Sequence, residues 1–305
     1  MPAPDVTVVI STHARPVECK EAVAAVVAQD FAGSIETIVV YDKAEPDPEL
    51  ESEDPRRPVR VMVNHRGHGL PGSRNAGAEA AAAPVIGFCD DDDLWLPDKV
   101  ERQLELLERT NADAVVSGIE ILYEDASVRE VTPRPSPTSE LRFEDLLRTR
   151  RIEANMVTAL VRRAAFWERI GPMDELIPGG YGEDYEWMLR ATQRAPLPVV
   201  PEPLVRVRWT SPSHFRRWDV VDDALGYLLD RHPELRTCRR GRARIEGQRA
   251  FARAAGQLGG AWGQIARTMW SYPLEPRAPL AAAVALRAVD ADAVLARLNR
   301  SGRGV

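Results

Sequence analysis

The chain has 305 residues, 44% apolar and 28% charged, enough for one large domain or a catalytic domain carrying a smaller tail. With 40 Lys plus Arg against 46 Asp plus Glu the formal charge is -6, which argues against a general nucleic-acid-binding surface. Cys19, Cys89 and Cys238 lie far apart, which excludes a disulfide scaffold and suits a reducing, cytoplasmic setting. No stretch reads as a secretory leader or a membrane span.

In chain order, a β-branched run from Val6 to Ile10 ends in Ser11-Thr12-His13, and Pro16 opens a helix to about Ala28. Ile35 to Tyr41 is a second strand, ending at Asp42. Val59 to Val63 is a third, leading to Asn64-His65-Arg66-Gly67. Gly72-Ser73 starts an alanine-rich helix through about Ala83, and Val85 to Phe88 is the fourth strand. Polar residues recur at strand ends, where an open parallel sheet forms its ligand crevice. A helix from Pro97 to about Arg109 carries Val100, Leu104 and Leu107 on one buried stripe. Ala112 to Ser117 reads as a core strand, Ile119 to Val131 as a hairpin, Pro133 to Pro137 as a loop, and Glu183 to Thr192 as a helix. Beyond residue 212, Ser213–Arg231, Arg242–Leu258 and Leu280–Leu298 read as helices of an extension. Arg239 to Arg244 contains four arginines. A solvated face is the simpler account, and contact with an anionic acceptor or a membrane surface is the alternative.

Two segments carry chemistry. Asp90-Asp91-Asp92-Asp93 follows an apolar strand, and four adjacent carboxylates need compensation, which a divalent cation bridging to a diphosphate supplies. An acidic surface turn or helix cap is the plainer reading. Gly179-Gly180-Tyr181-Gly182-Glu183-Asp184 places acids at a helix start. A carboxylate there can take a proton from an attacking hydroxyl, and acids in a first turn also stabilise any helix.

The Val8-Val9-Ile10-Ser11-Thr12-His13 strand end, Tyr41-Asp42, Gly72-Ser73-Arg74-Asn75-Ala76-Gly77, the aspartate cluster and Glu183-Asp184 together resemble a family 2 glycosyltransferase over about residues 5–209. The resemblance implies an α/β GT-A fold with a mostly parallel central sheet flanked by helices. It divides the chain into a catalytic domain, 1–211, and a helical C-terminal extension, 212–305. Within the catalytic domain about 1–132 would bind nucleotide sugar and 133–211 the acceptor. The implied activity is metal-dependent, inverting transfer from a nucleoside-diphosphate sugar, UDP-sugar favoured, to an acceptor hydroxyl, with Mg²⁺ or Mn²⁺ as cofactor.

By the same resemblance Thr12 contacts the nucleotide, Asp42 the base, and Arg74 the base or diphosphate, while Asn75 fixes helix and loop. Asp93 is the principal metal ligand, Asp92 sits at ribose or metal, and Asp90 supports the metal shell. Asp184 is the base, with Glu183 beside it, and Trp187 is either a wall of the sugar pocket or a core residue. Arg208 stands where many relatives have a histidine, so either Arg208 meets the diphosphate or His214 reaches the metal. Implied partners are the sugar donor and a carbohydrate, glycolipid or small-molecule acceptor. The extension leaves a homo-oligomer, or peripheral contact with the inner face of the membrane, open. A sugar nucleotidyltransferase is disfavoured because no glycine-rich, lysine-containing triphosphate loop opens the chain. Retention of both acidic segments argues against an inactive scaffold.

Overall fold

The computed structural model describes residues 3–67, 69–124, 129–210 and 217–300. Its first half alternates strands and helices: β1 (Val6–Thr12), α1 (Pro16–Val27), β2 (Ile35–Tyr41), β3 (Val59–Val63), α2 (Leu70–Ala80), β4 (Val85–Asp90), β5 (Leu94–Trp95) and α3 (Lys99–Thr110). There follow β6 (Ala114–Glu124), β7 (Arg129–Arg134), β8 (Glu140–Leu141), α4 (Phe143–Arg148), β9 (Leu160–Arg162), α5 (Glu183–Arg194) and β10 (Leu197–Thr210). The extension comprises α6 (Trp218–Arg231), α7 (Glu234–Thr237), α8 (Arg239–Ala255), α9 (Ala261–Ser271), α10 (Arg277–Ala285) and α11 (Ala291–Arg300).

One mixed sheet runs β3-β2-β1-β4-β9-β6-β10-β5, with β7 on β6 and β8 on β10. The β3-β2-β1-β4 half is parallel, and β9 lies antiparallel between β4 and β6. Every residue of β1 and β2 is buried, as expected of β-branched parallel strands covered on both faces. Helix α2 lies close on this sheet because residue 77 is glycine: a Cβ there would come within 2.3 Å of Val9 Cγ1. Parallel strands end at one edge, so Thr12, Asp42 and Asp90 meet there.

Several boundaries differ from those read in the sequence, for local reasons. Helix α2 starts at Leu70, because Gly69 turns the chain at φ 94° and Pro71 fits the first turn. It stops at Ala80, since Ala81 must be extended to enter β4. Strand β6 is continuous from Ala114 to Glu124, and its partner β7 includes Pro133 and Arg134, which the sequence assigned to a loop. Proline is tolerated there because β7 pairs on one side only. Helix α9 was not foreseen, and the stretch read as one helix from Leu280 breaks into α10 and α11 after Arg287, which adopts a left-handed φ of 58°.

The extension shares the core of the α/β part. Leu225, Leu228, Leu229 and Ile245 belong to the same cluster as Trp187, Met188 and Phe166. Polar contacts reinforce this seam: His232 Nε2 meets Glu186 Oε1 at 3.0 Å, and the Tyr227 hydroxyl donates to Asp174 at 2.7 Å. Among the described residues no helix is long and apolar enough to cross a membrane.

Candidate active site

The acidic turn begins where β4 stops, with Asp90 opposite Ser11 of β1. Thr12 Oγ1 donates to Asp91 Oδ2 at 2.8 Å. Arg15, in the loop after β1, places one Nη1 at 2.9 Å from Asp91 and 2.5 Å from Asp92. The Asp92 side chain keeps 25% of its exposure. Burial and the charge of Asp90 push its pKa up to about 6, against the pull of Arg15. Asp93, the sequence's first choice for the metal, is only 3% exposed, and its Oδ1 accepts the backbone N–H of Arg208 at 3.1 Å. Burial, Asp90 and Asp92 hold its pKa well above the carboxylate range. Asp93 turns inward to tie β10 to the acidic turn, and Asp92 is the more open carboxylate.

Asp42 ends β2, with its carboxylate accepting from Asn64 Nδ2 and from the Gly69 amide, both at 3.1 Å. It thereby fixes the loop that launches α2. The Arg208 guanidinium pairs with Glu21 of α1 at 2.7 Å, with Glu124 at 3.9 Å. His214 lies outside the described residues.

Arg74 links the two acidic segments. It is 2% exposed, and its Nη2 donates to Asp90 at 2.6 Å while its Nη1 donates to Glu183 at 2.5 Å. Burial pulls its pKa down, but Asp90, Glu183 and Asp184 outweigh that and keep it cationic. Burial, with Asp184 and Asp90, pushes Glu183 up to about 8 despite Arg74. The Arg74 guanidinium joins the end of β4 to the start of α5. Asn75 bonds Met173 through both its carbonyl oxygen and its amide, and reaches Glu175 at 2.7 Å, fixing α2 to the loop before α5.

Asp184 sits in the first turn of α5, after Gly182 in the left-handed region at φ 81°. Its Oδ1 accepts its neighbour's amide, Tyr185 N, at 2.7 Å. A cavity of about 320 Å³ is lined by Asp90, Arg74, Glu183 and Asp184 together with Tyr181 and Tyr185. Trp187 does not line it. Its ring is fully buried against Phe166, and its Nε1 donates to the Gly171 carbonyl at 2.9 Å, so the core reading holds.

Among the described residues no three His, Cys, Asp or Glu side chains are arranged as a metal cage. A cation shared with a diphosphate needs fewer protein ligands, since Mg²⁺ is commonly held by one or two carboxylates plus phosphate and water. Asp92 and Asp90, half-open and mutually repelling, suit that role.

The sequence reading missed Arg15, although its place three residues after Thr12 in a strand-end loop marks it as a crevice residue. It also took the Arg239–Arg244 cluster together. Arg239 and Arg240 are exposed, whereas Arg244 is buried in the cavity wall.

A family model described as Glycosyl transferase family 2 matches residues 7–169. The succinoglycan biosynthesis protein ExoO of Rhizobium meliloti is 31% identical over 123 residues, covering 40% of this chain and 35% of that protein. The Escherichia coli protein WfgD, named as a UDP-Glc:alpha-D-GlcNAc-diphosphoundecaprenol beta-1,3-glucosyltransferase, is 29% identical over 79 residues, covering 26% of this chain and 30% of that protein. The chain thus matches about a third of the length of these curated relatives. The structure of S. aureus TarS 1-349 in complex with UDP-GlcNAc superposes with a TM-score of 0.61 at 15% identity, over 98% of this chain and 92% of that one. That likeness is one of fold, and the architecture is of GT-A type.

Proposed function

The chain belongs to glycosyltransferase family 2, and from that membership we propose that it transfers a sugar from a nucleoside-diphosphate sugar to an acceptor hydroxyl by direct displacement with inversion. The observation that carries this reading is the shared cavity: the acidic strand end at Asp90 and the helix-start acid Asp184 line one space of about 320 Å³. A UDP-sugar is favoured as donor. Relatives whose names or titles state a donor or bound nucleotide sugar have UDP-Glc and UDP-GlcNAc, and Asp42 stands at the crevice edge as a carboxylate able to accept from a ring N–H.

In this reading Thr12 and Asp42 border the nucleotide, while Asp92 and Asp90 hold a divalent cation. Bound there, Mg²⁺ or Mn²⁺ supplies neutralising charge to the departing diphosphate. Asp184 accepts the proton of the acceptor hydroxyl as its oxygen attacks the anomeric carbon from the face opposite the diphosphate. The anomeric C–O bond to the diphosphate breaks as the new one forms, so no enzyme nucleophile is required. Arg74 and Glu183 hold Asp90 and α5 in fixed relation. Arg208, paired with Glu21 close to Asp92, is the chain's candidate for a diphosphate contact.

Calorimetry with UDP-, dTDP- and GDP-linked sugars, with and without Mn²⁺, tests the reading. One donor is expected to bind in a metal-dependent way, more weakly in Asp92→Ala and unchanged in Asp184→Asn. Folded protein that binds none of these donors overturns it.

A further inference from the structure

The cavity that contains Asp184 is also lined by two guanidinium groups, those of Arg244 and Arg150, with which no carboxylate among the described residues pairs. Arg244 of α8 is 8% exposed. Its Nη2 donates to the Tyr185 hydroxyl at 2.8 Å, its guanidinium carbon lies 5.2 Å from the Tyr185 ring centroid, and its Nε has no hydrogen-bond partner. The Tyr185 hydroxyl is itself committed, donating to the Leu146 carbonyl at 2.6 Å. Burial lowers the Arg244 pKa, and Arg150 and Arg277 repel the charge further. Arg277 has its own carboxylate, Glu275, at 2.7 Å. Among the described residues neither Arg244 nor Arg150 has one, and both line the cavity.

A buried charge is normally paired. A lysine so placed can shed its proton, whereas a guanidinium cannot. An anionic ligand in the cavity would supply the balancing charge. A guanidinium matches a phosphate, taking two oxygens with parallel N–H donors. The donor's diphosphate is assigned above to the acidic strand end, so this anion would be a second one.

Resting on the transferase reading above, the geometry points to a phosphate-binding subsite formed by Arg244 and Arg150 in the cavity that Asp184 lines, so that the acceptor carries a phosphate group near its reacting hydroxyl. Leu225 and Phe251, both buried, add apolar wall to the cavity, which strengthens its hold on an anion.

The test uses the full chain with its nucleotide site filled by saturating UDP and Mn²⁺. Methyl phosphate is then titrated and followed by phosphorus NMR, with acetate as the carboxylate control. Wild type is expected to bind methyl phosphate. Arg244→Gln and Arg150→Gln are each expected to weaken that binding at least about tenfold while UDP affinity stays constant. Arg150 is exposed and has no side-chain partner among the described residues, so its variant remains informative if Arg244→Gln misfolds. The proposal is overturned if UDP-loaded wild type does not bind methyl phosphate, if acetate binds equally well, or if the variants bind like wild type. It is also overturned if the variants lose UDP instead, which would give the arginines to the donor. Failure of the transferase reading shows separately, as absence of UDP binding in the first titration.

Discussion

Two regions of the candidate site handle charge in opposite ways. At the strand ends every described carboxylate of the site has a partner: Asp91 and Asp92 have Arg15, Asp90 and Glu183 share Arg74, and Asp42 accepts from Asn64 and Gly69. Arg244 of the extension and Arg150, which follows α4, have no carboxylate partner among the described residues. In the function proposed above, the acidic frame at the strand ends is the donor side, paired before a ligand arrives. The two arginines belong to the acceptor side, which would select for the anion it lacks.

The largest expected effect comes from the group between these regions. Asp184→Asn keeps the helix start but cannot take a proton. Transfer should fall by about 10²–10⁴-fold with donor affinity unchanged, measured by product formation beside calorimetry. Retained transfer would move the base to another residue and end the division between donor and acceptor sides.

Next in size is a pair of substitutions predicted to differ in sign. Arg74→Met leaves Asp90 and Glu183 without their shared cation in a buried setting, and should cost about 3–5 kcal/mol in urea unfolding. Adding Glu183→Gln should recover part of that loss, because it removes the buried carboxyl group that Arg74 no longer pairs. Arg244→Met removes a buried cation with no counter-ion, and should leave stability within about 1 kcal/mol of wild type or raise it. Equal losses for the two single variants would mean that Arg244 is compensated in solution.

Most of the donor side was legible in the sequence because parallel strands bring separate polar strand ends to one edge. Thr12, Asp42 and the aspartate run each follow an apolar strand, so their convergence needed only topology. What stayed hidden was which carboxylate turns inward. The peptide from Asp90 to Asp93 reads the same whether Asp92 or Asp93 faces the crevice, and β10, more than a hundred residues later, decides it through the Arg208 amide. The burial of Arg74 was hidden for the same reason, since both of its partners are remote or on another element. In the extension, helical spacing located most helices but not Arg244, one arginine among four until α8 docks on Tyr185.

Lys99 provides an internal control for the unpaired arginines. It is fully buried on α3, 4.4 Å from the Trp95 ring, and donates to Gln103 and to the Thr158 carbonyl. Among the described residues it also has no carboxylate partner, and burial pulls its pKa down to about 7. The folded state then binds fewer protons than the unfolded chain between about pH 7 and the ordinary lysine value of 10.5. Stability should therefore rise with pH across that window, by on the order of 3–5 kcal/mol in full, and this rise should vanish in Lys99→Met. Thr158 keeps its bond from Gln103 in that variant, so the loss of pH dependence is not masked by an orphaned carbonyl. A flat wild-type profile would show that the interior tolerates unpaired cations, and would weaken the case that Arg244 awaits an anion.

The smallest effect is expected at Arg15, whose pairs with Asp91 and Asp92 are partly open to solvent. Arg15→Gln should change unfolding free energy by less than about 1 kcal/mol. The same guanidinium neutralises the carboxylate best placed to meet a cation, so removing it should raise affinity for Mn²⁺ in the absence of nucleotide, read by calorimetry. Weaker Mn²⁺ binding in this variant would argue that Asp92 is held in place by Arg15 rather than masked by it. The acidic frame would then depend on its partner cations for shape as well as for charge.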